Sequence, residues 1–160
     1  MVRIYLFRHG IAENYNSAGD AGRQLTSKGR KKVAVMANFL KKRVSPKMII
    51  SSPYTRAMET AQIAAKEVGI DPEYIKTSDV LFPGSDYHET LIELNALDCH
   101  DVMLFGHNMH MSDLLCGSIG MKGSYIKMKK SAVACIDFPV TVEPGSGNLK
   151  WLVTPAFIDP

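Results

Sequence analysis

The feature of this chain that most limits its fold is an order in which short apolar strands alternate with helical patterns. The strands easiest to recognise are residues 2–7, 47–51 and 101–105, and a stretch with apolar spacings of three and four follows each of them. Such alternation predicts a mostly parallel sheet with helices on both faces. Residues 132–138 and 149–153 are predicted to form two final antiparallel strands. The expected fold is a three-layer α/β/α sandwich with an antiparallel C-terminal edge pair.

Two helices of this pattern have clear start signals. The first is expected to begin after Thr26 or Ser27 as N-cap. Its apolar stripe consists of Val33, Met36, Ala37, Leu40 and Val44. The second is expected to have Ser52 as its N-cap, with Pro53 at the first helical position.

Length and composition predict one soluble globular domain, residues 1–160. A net charge of +3 favours anionic ligands slightly but is too small to indicate nucleic acid or a membrane surface as a partner. The sequence shows no pattern typical of a signal peptide and no apolar run of membrane-spanning length. Three widely spaced cysteines, Cys99, Cys116 and Cys135, indicate free thiols in a reducing compartment, so we expect a cytoplasmic location.

Polar residues follow three of the predicted strands at the point where each strand ends. Arg8 and His9 come directly after residues 2–7, Arg56 lies near the start of the helix after the second strand, and His107 follows residues 101–105. Since the carboxyl ends of parallel strands meet at one edge of the sheet, these four side chains are expected to share one pocket.

Two guanidinium groups and a helix N-terminus suit an anion with several oxygens, above all a phosphoryl group. No acidic residue in these motifs is expected to neutralise the arginines. A histidine among phosphate-binding arginines can attack phosphorus as a neutral imidazole. The surrounding cations would stabilise the charge that develops on the transferring oxygens.

These residues resemble the motifs of the histidine phosphatase superfamily (phosphoglycerate-mutase-like). The resemblance rests on Arg-His-Gly at 8–10, Ser-Pro-Tyr-Thr-Arg-Ala at 52–57, Gly-His-Asn at 106–108, and the helix entry at 23–30. It implies that His9 is the phosphorylated nucleophile of an enzyme. It also implies that Arg8, Arg56 and His107 act in catalysis by binding the phosphate, without a cofactor.

The short length and the Asp-x-x-Arg-x-Leu-Thr stretch at 20–26 resemble the SixA phosphohistidine phosphatase branch. Larger members carry an acid in a Leu-x-Glu stretch after the third strand, where this chain has Leu-Phe-Pro at 81–83, so Pro83 is expected at the acid position. Asp79, Asp86 and Glu89 are candidates for a substitute general acid, although turn and helix-cap roles suit them better. An alkoxide leaving group needs a proton, whereas the imidazole of a phosphohistidine leaves more readily, so the missing acid favours phosphohistidine on a protein as substrate.

Two other functions are considered: a phosphatase for a small phosphomonoester such as a sugar or nucleotide phosphate, and a non-catalytic phosphate-binding module. A protein that only binds phosphate needs no nucleophile, so the presence of His9 argues against the non-catalytic phosphate-binding module. The cysteine spacing fits no zinc pattern, and no metal is expected. The sequence leaves the oligomeric state and the preferred phosphohistidine isomer open.

Overall fold

The computed structural model describes residues 1–123 and 125–159, and within them six strands form one sheet. The strands are β1 (Val2–Arg8), β2 (Met48–Ser51), β3 (Lys76–Thr77), β4 (Asp101–Gly106), β5 (Val133–Phe138) and β6 (Asn148–Val153). Their spatial order is β3-β2-β4-β1-β5-β6. The first four strands are parallel, while β5 is antiparallel to both β1 and β6. The antiparallel edge pair predicted from the sequence is confirmed.

Helices cover both faces of this sheet. They are α1 (Ser27–Leu40), α2 (Thr55–Val68), α3 (Tyr87–Asn95), α4 (His110–Ser118) and α5 (Pro155–Ile158). The buried apolar residues form two clusters, one beneath α1 and α2 and the other beneath α3 and α4. The predicted three-layer α/β/α sandwich is therefore confirmed, and residues 1–160 as one domain stay a prediction.

Strand β1 has a continuous apolar run from Ile4 to Phe7, and the two clusters explain it. Ile4 and Leu6 belong to the cluster beneath α3 and α4, whereas Tyr5 and Phe7 belong to the cluster beneath α1 and α2. Side chains alternate between the two faces of a strand, so a strand that is covered on both faces needs apolar residues at every position. The strand is one residue longer than predicted, because Arg8 still pairs with Gly106 of β4, and only His9 lies beyond its end.

The two helix starts differ in how they match the sequence prediction. Thr26 caps α1 by accepting a hydrogen bond of 3.0 Å from the Gly29 amide. Ser52 does not cap α2, which begins at Thr55 with Tyr54 as its N-cap. The reason is that the Ser52 amide donates to the Phe105 carbonyl at 2.9 Å, so Ser52 still follows the extended path of β2 beside β4.

No helix in the two described ranges is both long enough and apolar enough to cross a membrane.

Candidate active site

The carboxyl ends of β1, β2 and β4 bring together the residues that the sequence selected. The rings of His9 and His107 lie with their centroids 5.1 Å apart. Arg56, in the first turn of α2, places its Nε 3.3 Å from Nε2 of His9. Arg8 is near enough for its charge to lower the pKa of His9. The four side chains therefore form one cluster at one edge of the sheet.

The hydrogen bonds of His9 define which ring nitrogen carries the proton. Nδ1 lies 2.7 Å from the carbonyl oxygen of Gly10, which can only accept, so Nδ1 is the protonated nitrogen. Nε2 then carries the lone pair and accepts from Nε of Arg56. The ring is buried, and its unprotonated nitrogen faces the other members of the cluster.

Burial is the main reason that His9 stays neutral. It lowers the pKa of His9 to about 3, and the positive charges of Arg56, Arg8 and Lys130 act in the same direction. The hydrogen bond to Gly10 opposes this shift but does not reverse it. At neutral pH the imidazole is therefore uncharged, and its Nε2 lone pair accepts only the hydrogen bond from Arg56 among the described residues.

His107 is held by a hydroxyl group. Its Nε2 lies 2.8 Å from Oγ of Ser52, and that Oγ also accepts from the Tyr54 amide at 3.3 Å. The Ser52 hydroxyl has one proton to donate and two lone pairs, so its contact with this ring nitrogen fits both neutral tautomers of His107. Nδ1 of His107 is a buried atom without a hydrogen-bond partner among the described residues. Burial, followed by the charges of His9 and Arg56, lowers the pKa of His107 to about 2.

Arg56 has a partner that sequence reasoning missed. Its Nη1 donates to the backbone oxygen of Asp20 at 2.8 Å, and its Nη2 lies 3.2 Å from the Asp20 carboxylate. The expectation that no acidic residue neutralises the arginines is therefore wrong for Arg56. A hydrogen bond from Arg23, followed by the charge of Arg56, lowers the pKa of Asp20. The contact between Asp20 and Arg56 depends on the path of a long loop, which local patterns do not predict. The only sequence feature that could have pointed to it is that Asp20 belongs to the 20–26 stretch.

Arg8 is anchored from a different loop. Its Nη1 donates to the Met128 carbonyl oxygen at 2.7 Å, whereas its Nε is buried without a partner among the described residues. Burial lowers the pKa of Arg8. The contact with Met128 has no local sequence signal, since Met128 lies 120 residues away along the chain.

The three candidate acids lie on the surface. Asp86 caps α3, accepting from the His88 amide at 2.9 Å and pairing with Nδ1 of His88 at 2.7 Å. Asp79 and Glu89 are exposed in the first turns of short helical segments. No hydrogen bond or ion pair within the described ranges joins any of the three to the four-residue cluster.

The segment in which an acid was sought has Pro83 at the acid position and contacts the surroundings of the site through the preceding residue. The Phe82 ring packs against Tyr54 at 5.4 Å, and Tyr54 in turn packs edge-on against His107 at 5.3 Å between centroids. Segment 81–83 therefore reaches the surroundings of the site through an aromatic ring.

The arrangement suits a tetrahedral anion. The guanidinium group of Arg56 and the ring of His107 lie beside a neutral imidazole, and the charge of Arg8 also acts on that ring. A phosphoryl group offers oxygens to these cationic and ring N–H groups and a phosphorus atom to Nε2 of His9.

Comparison with known proteins agrees with this geometry. Residues 4–78 match the sequence model of the histidine phosphatase superfamily, branch 1. The chain is similar to the putative phosphohistidine phosphatase SixA from Agrobacterium tumefaciens, with 27% identity, a TM-score of 0.77, and coverage of 96% of this chain and 98% of that one. No curated protein matches the chain by sequence. The resemblance stated from the sequence is confirmed.

Two further structures share the fold. The protein histidine phosphatase SixA complexed with tungstate has a TM-score of 0.87 at 24% identity, covering 99% of this chain and all of that one. A mycobacterial glucosyl-3-phosphoglycerate phosphatase in complex with VO3 has a TM-score of 0.71 at 17% identity, covering 94% and 98% respectively.

Proposed function

Because this chain is a histidine-based phosphatase related to the histidine phosphatase superfamily, we propose that it removes the phosphoryl group from phosphohistidine on a protein. His9 is the nucleophile in this proposal. Arg8, Arg56 and His107 bind the phosphoryl oxygens. No metal or organic cofactor enters the reaction.

The phosphoryl group binds first. The guanidinium group of Arg8 and the ring of His107 bind two of its oxygens, because cationic forks and ring N–H groups are suited to phosphoryl oxygens. Arg56 contributes a guanidinium whose Nε points at His9. A dianion among these groups raises the pKa of His9, but desolvation still favours the neutral ring.

Nε2 of His9 then attacks phosphorus. The bond between Nε2 and phosphorus forms as the bond between phosphorus and the substrate ring nitrogen breaks. When the other nitrogen of the substrate ring carries a proton, that ring departs as neutral imidazole. The Gly10 carbonyl holds the proton of Nδ1, which orients the attacking ring.

Water completes the cycle by attacking the phosphorus of the phosphorylated His9. The oxygen–phosphorus bond forms, the Nε2–phosphorus bond breaks, and both water protons remain with the inorganic phosphate. His9 leaves as a neutral ring because its Nδ1 has kept its proton throughout. The two arginines and His107 stabilise charge on the transferring oxygens in both steps.

The observation that carries the choice of substrate is that segment 81–83, which contacts the surroundings of the site through Phe82 and Tyr54, has Pro83 at the acid position. A carboxylic acid at this place would protonate an alkoxide leaving group. The imidazole of phosphohistidine has a pKa of about 6.5 and leaves without such an acid. The exposed positions of Asp79, Asp86 and Glu89 are consistent with this choice.

We also propose a cytoplasmic location for this activity. The free thiols of Cys99, Cys116 and Cys135 suit a reducing compartment.

The test compares a phosphohistidine protein with a panel of sugar and nucleotide phosphomonoesters. We expect kcat/KM to be higher for the phosphohistidine protein by at least about 100-fold, the scale of one catalytic acid. Rapid quenching at alkaline pH should trap phosphate on the wild-type enzyme. The His9→Ala variant should abolish both turnover and trapping.

The matched control is His100→Gln, which removes an exposed histidine and should leave kcat/KM unchanged. Faster turnover of a monoester would assign the enzyme to small phosphate esters. Activity that survives in His9→Ala would reject His9 as the nucleophile.

A further inference from the structure

A groove of about 470 Å³ borders the active site at Arg8. Its cationic lining consists of Arg8, Lys32, Lys129 and Lys130, which come from β1, from α1 and from the loop before β5. Four positive side chains thus face one space, in a chain whose net charge is only +3. This concentration of charge predicts an anionic occupant.

The lysines of the groove form no ion pair with an acidic residue of the described ranges. None of the ion pairs formed by the described residues includes Lys32, Lys129 or Lys130. Lys129 and Lys130 are exposed and Lys32 is half-buried. Their charges are therefore available to a ligand.

The same groove has an apolar floor. Ile11, Pro155 and Ala156 line it together with Thr154. Lysine side chains add aliphatic stems to such a surface while their ammonium groups stay in water. A second phosphate gains nothing from an apolar floor, whereas a polypeptide can place an apolar side chain on it and carboxylates at the rim. The mixed lining therefore favours a protein segment.

The groove is physically joined to the nucleophile. The Ser131 amide lies 3.1 Å from the carbonyl oxygen of Arg8 and 3.2 Å from that of His9, so the loop that carries Lys129 and Lys130 is held against the backbone of the site. The charge of Lys130 reaches the His9 ring and contributes to lowering its pKa. A segment bound in the groove would thus lie next to a phosphohistidine bound at His9.

We propose that this basic groove, formed by Lys32, Lys129 and Lys130 beside Arg8, binds an acidic polypeptide segment that flanks the phosphohistidine of the substrate protein. The proposal rests on the function proposed above and adds the sequence context of the substrate. Charge complementarity at the rim sets the preference, and salt weakens it because the lysine groups are exposed.

The test uses two phosphohistidine peptides that differ only in their flanks, one with Asp and Glu and the other with Asn and Gln. Free phosphohistidine serves as a substrate without flanks. For the wild-type enzyme at low salt we expect kcat/KM to be about five- to tenfold higher for the acidic peptide, the scale of a few exposed charge pairs. The Lys32→Gln/Lys129→Gln double variant should lose this preference and keep its rate on free phosphohistidine within about twofold.

A matched control is Lys31→Gln/Lys127→Gln, which removes two exposed lysines from the same helix and the same loop but outside the groove. This control should keep the wild-type preference. The groove proposal would be overturned if the wild-type enzyme had equal kcat/KM on the two peptides, or if the control variant lost the preference for the acidic peptide as well. The phosphatase function would stand in both cases. A small bisphosphorylated ester serves as a further substrate. If the groove variant loses activity on this ester alone, the groove binds a second phosphate, and the proposal of an acidic polypeptide is overturned.

If free phosphohistidine is not hydrolysed, the proposed function fails, and a binding measurement then tests the groove on its own. Unphosphorylated peptides with a fluorescent label are titrated with the full-length protein and followed by anisotropy. Tighter binding of the acidic peptide, weakened about five- to tenfold in the groove variant, would support the groove without any turnover. Equal binding of the acidic and amide peptides would reject it.

Discussion

Nε of Arg56 donates to Nε2 of His9 across 3.3 Å, while the two terminal nitrogens of the same guanidinium bind Asp20. One arginine therefore contacts the lone pair of the proposed nucleophile and holds the loop that carries Asp20. A phosphoryl group that binds here competes with the carboxylate of Asp20 for the positive charge of Arg56.

Replacing Asp20 by Asn tests that competition. The change removes the negative charge but keeps the backbone oxygen that accepts from Nη1 of Arg56. We expect inorganic phosphate to inhibit the variant about two- to fivefold more strongly, a modest gain because the Asp20 side chain is half exposed. Product inhibition measures the effect, with Asp71→Asn as control on another exposed turn. Weaker inhibition would mean that the carboxylate mainly positions Arg56.

Removing the Ser52 hydroxyl tests how His107 is oriented. Ser52→Ala leaves Nε2 of His107 without its 2.8 Å partner in a buried place, so the ring and its proton are no longer held. We expect kcat/KM to fall about 5- to 30-fold, the equivalent of losing about 1–2 kcal/mol of hydrogen bonding. Ser51→Ala is the control, because that buried hydroxyl donates to a backbone carbonyl. A similar loss in both variants would indicate a packing effect instead.

The buried histidines predict a particular loss of stability in acid. The pKa values of about 3 for His9 and about 2 for His107 in the folded protein lie below the value of 6.5 in the unfolded chain. At a pH between each folded value and 6.5, the unfolded chain therefore binds more protons than the folded chain. The free energy of unfolding therefore decreases as the pH falls below about 6.5. From pH 7 to pH 5 each histidine should contribute about 1–2 kcal/mol to this decrease.

Urea denaturation of His107→Asn at the two pH values checks this prediction. The difference between pH 7 and pH 5 should shrink by about 1–2 kcal/mol relative to wild type, whatever the absolute stability of the variant. His100→Gln, at an exposed position, should keep the wild-type difference. An unchanged difference in His107→Asn would show that His107 titrates alike in both states.

Gly29 allows α1 to pack closely against the backbone of Ile11, in the loop that follows His9. A Cβ at this position would overlap the carbonyl oxygen of Ile11, which is backbone and has no side-chain torsion by which to move aside. Gly29→Ala should lower the free energy of unfolding by about 1–3 kcal/mol, although alanine favours helices. Urea denaturation measures the loss, and Lys31→Ala in the same helix should show none. A stabilised Gly29→Ala would contradict the close packing.

The strand ends of this chain were readable from local patterns. Residues 4–7 and 102–105 are apolar at every position because both faces of the sheet are covered there, and His9 and His107 follow where the two strands end. The start of α2 was predicted less well. Ser52 has the residue type of an N-cap, but its hydrogen bond with His107 is a long-range contact that no local pattern indicates.

The sequence by itself determined the order of strands and helices, and with it the meeting of Arg8, His9, Arg56 and His107 at one edge of the sheet. Hydrophobic periodicity and the parallel arrangement of strands are enough for that inference. Only the tertiary structure decided that Asp20 binds Arg56, that Met128 anchors Arg8, and that Lys32 joins Lys129 and Lys130 around one groove. These contacts join segments that are far apart in the chain. The paths of the loops among them depend on tertiary packing, which produces no periodic pattern in the sequence.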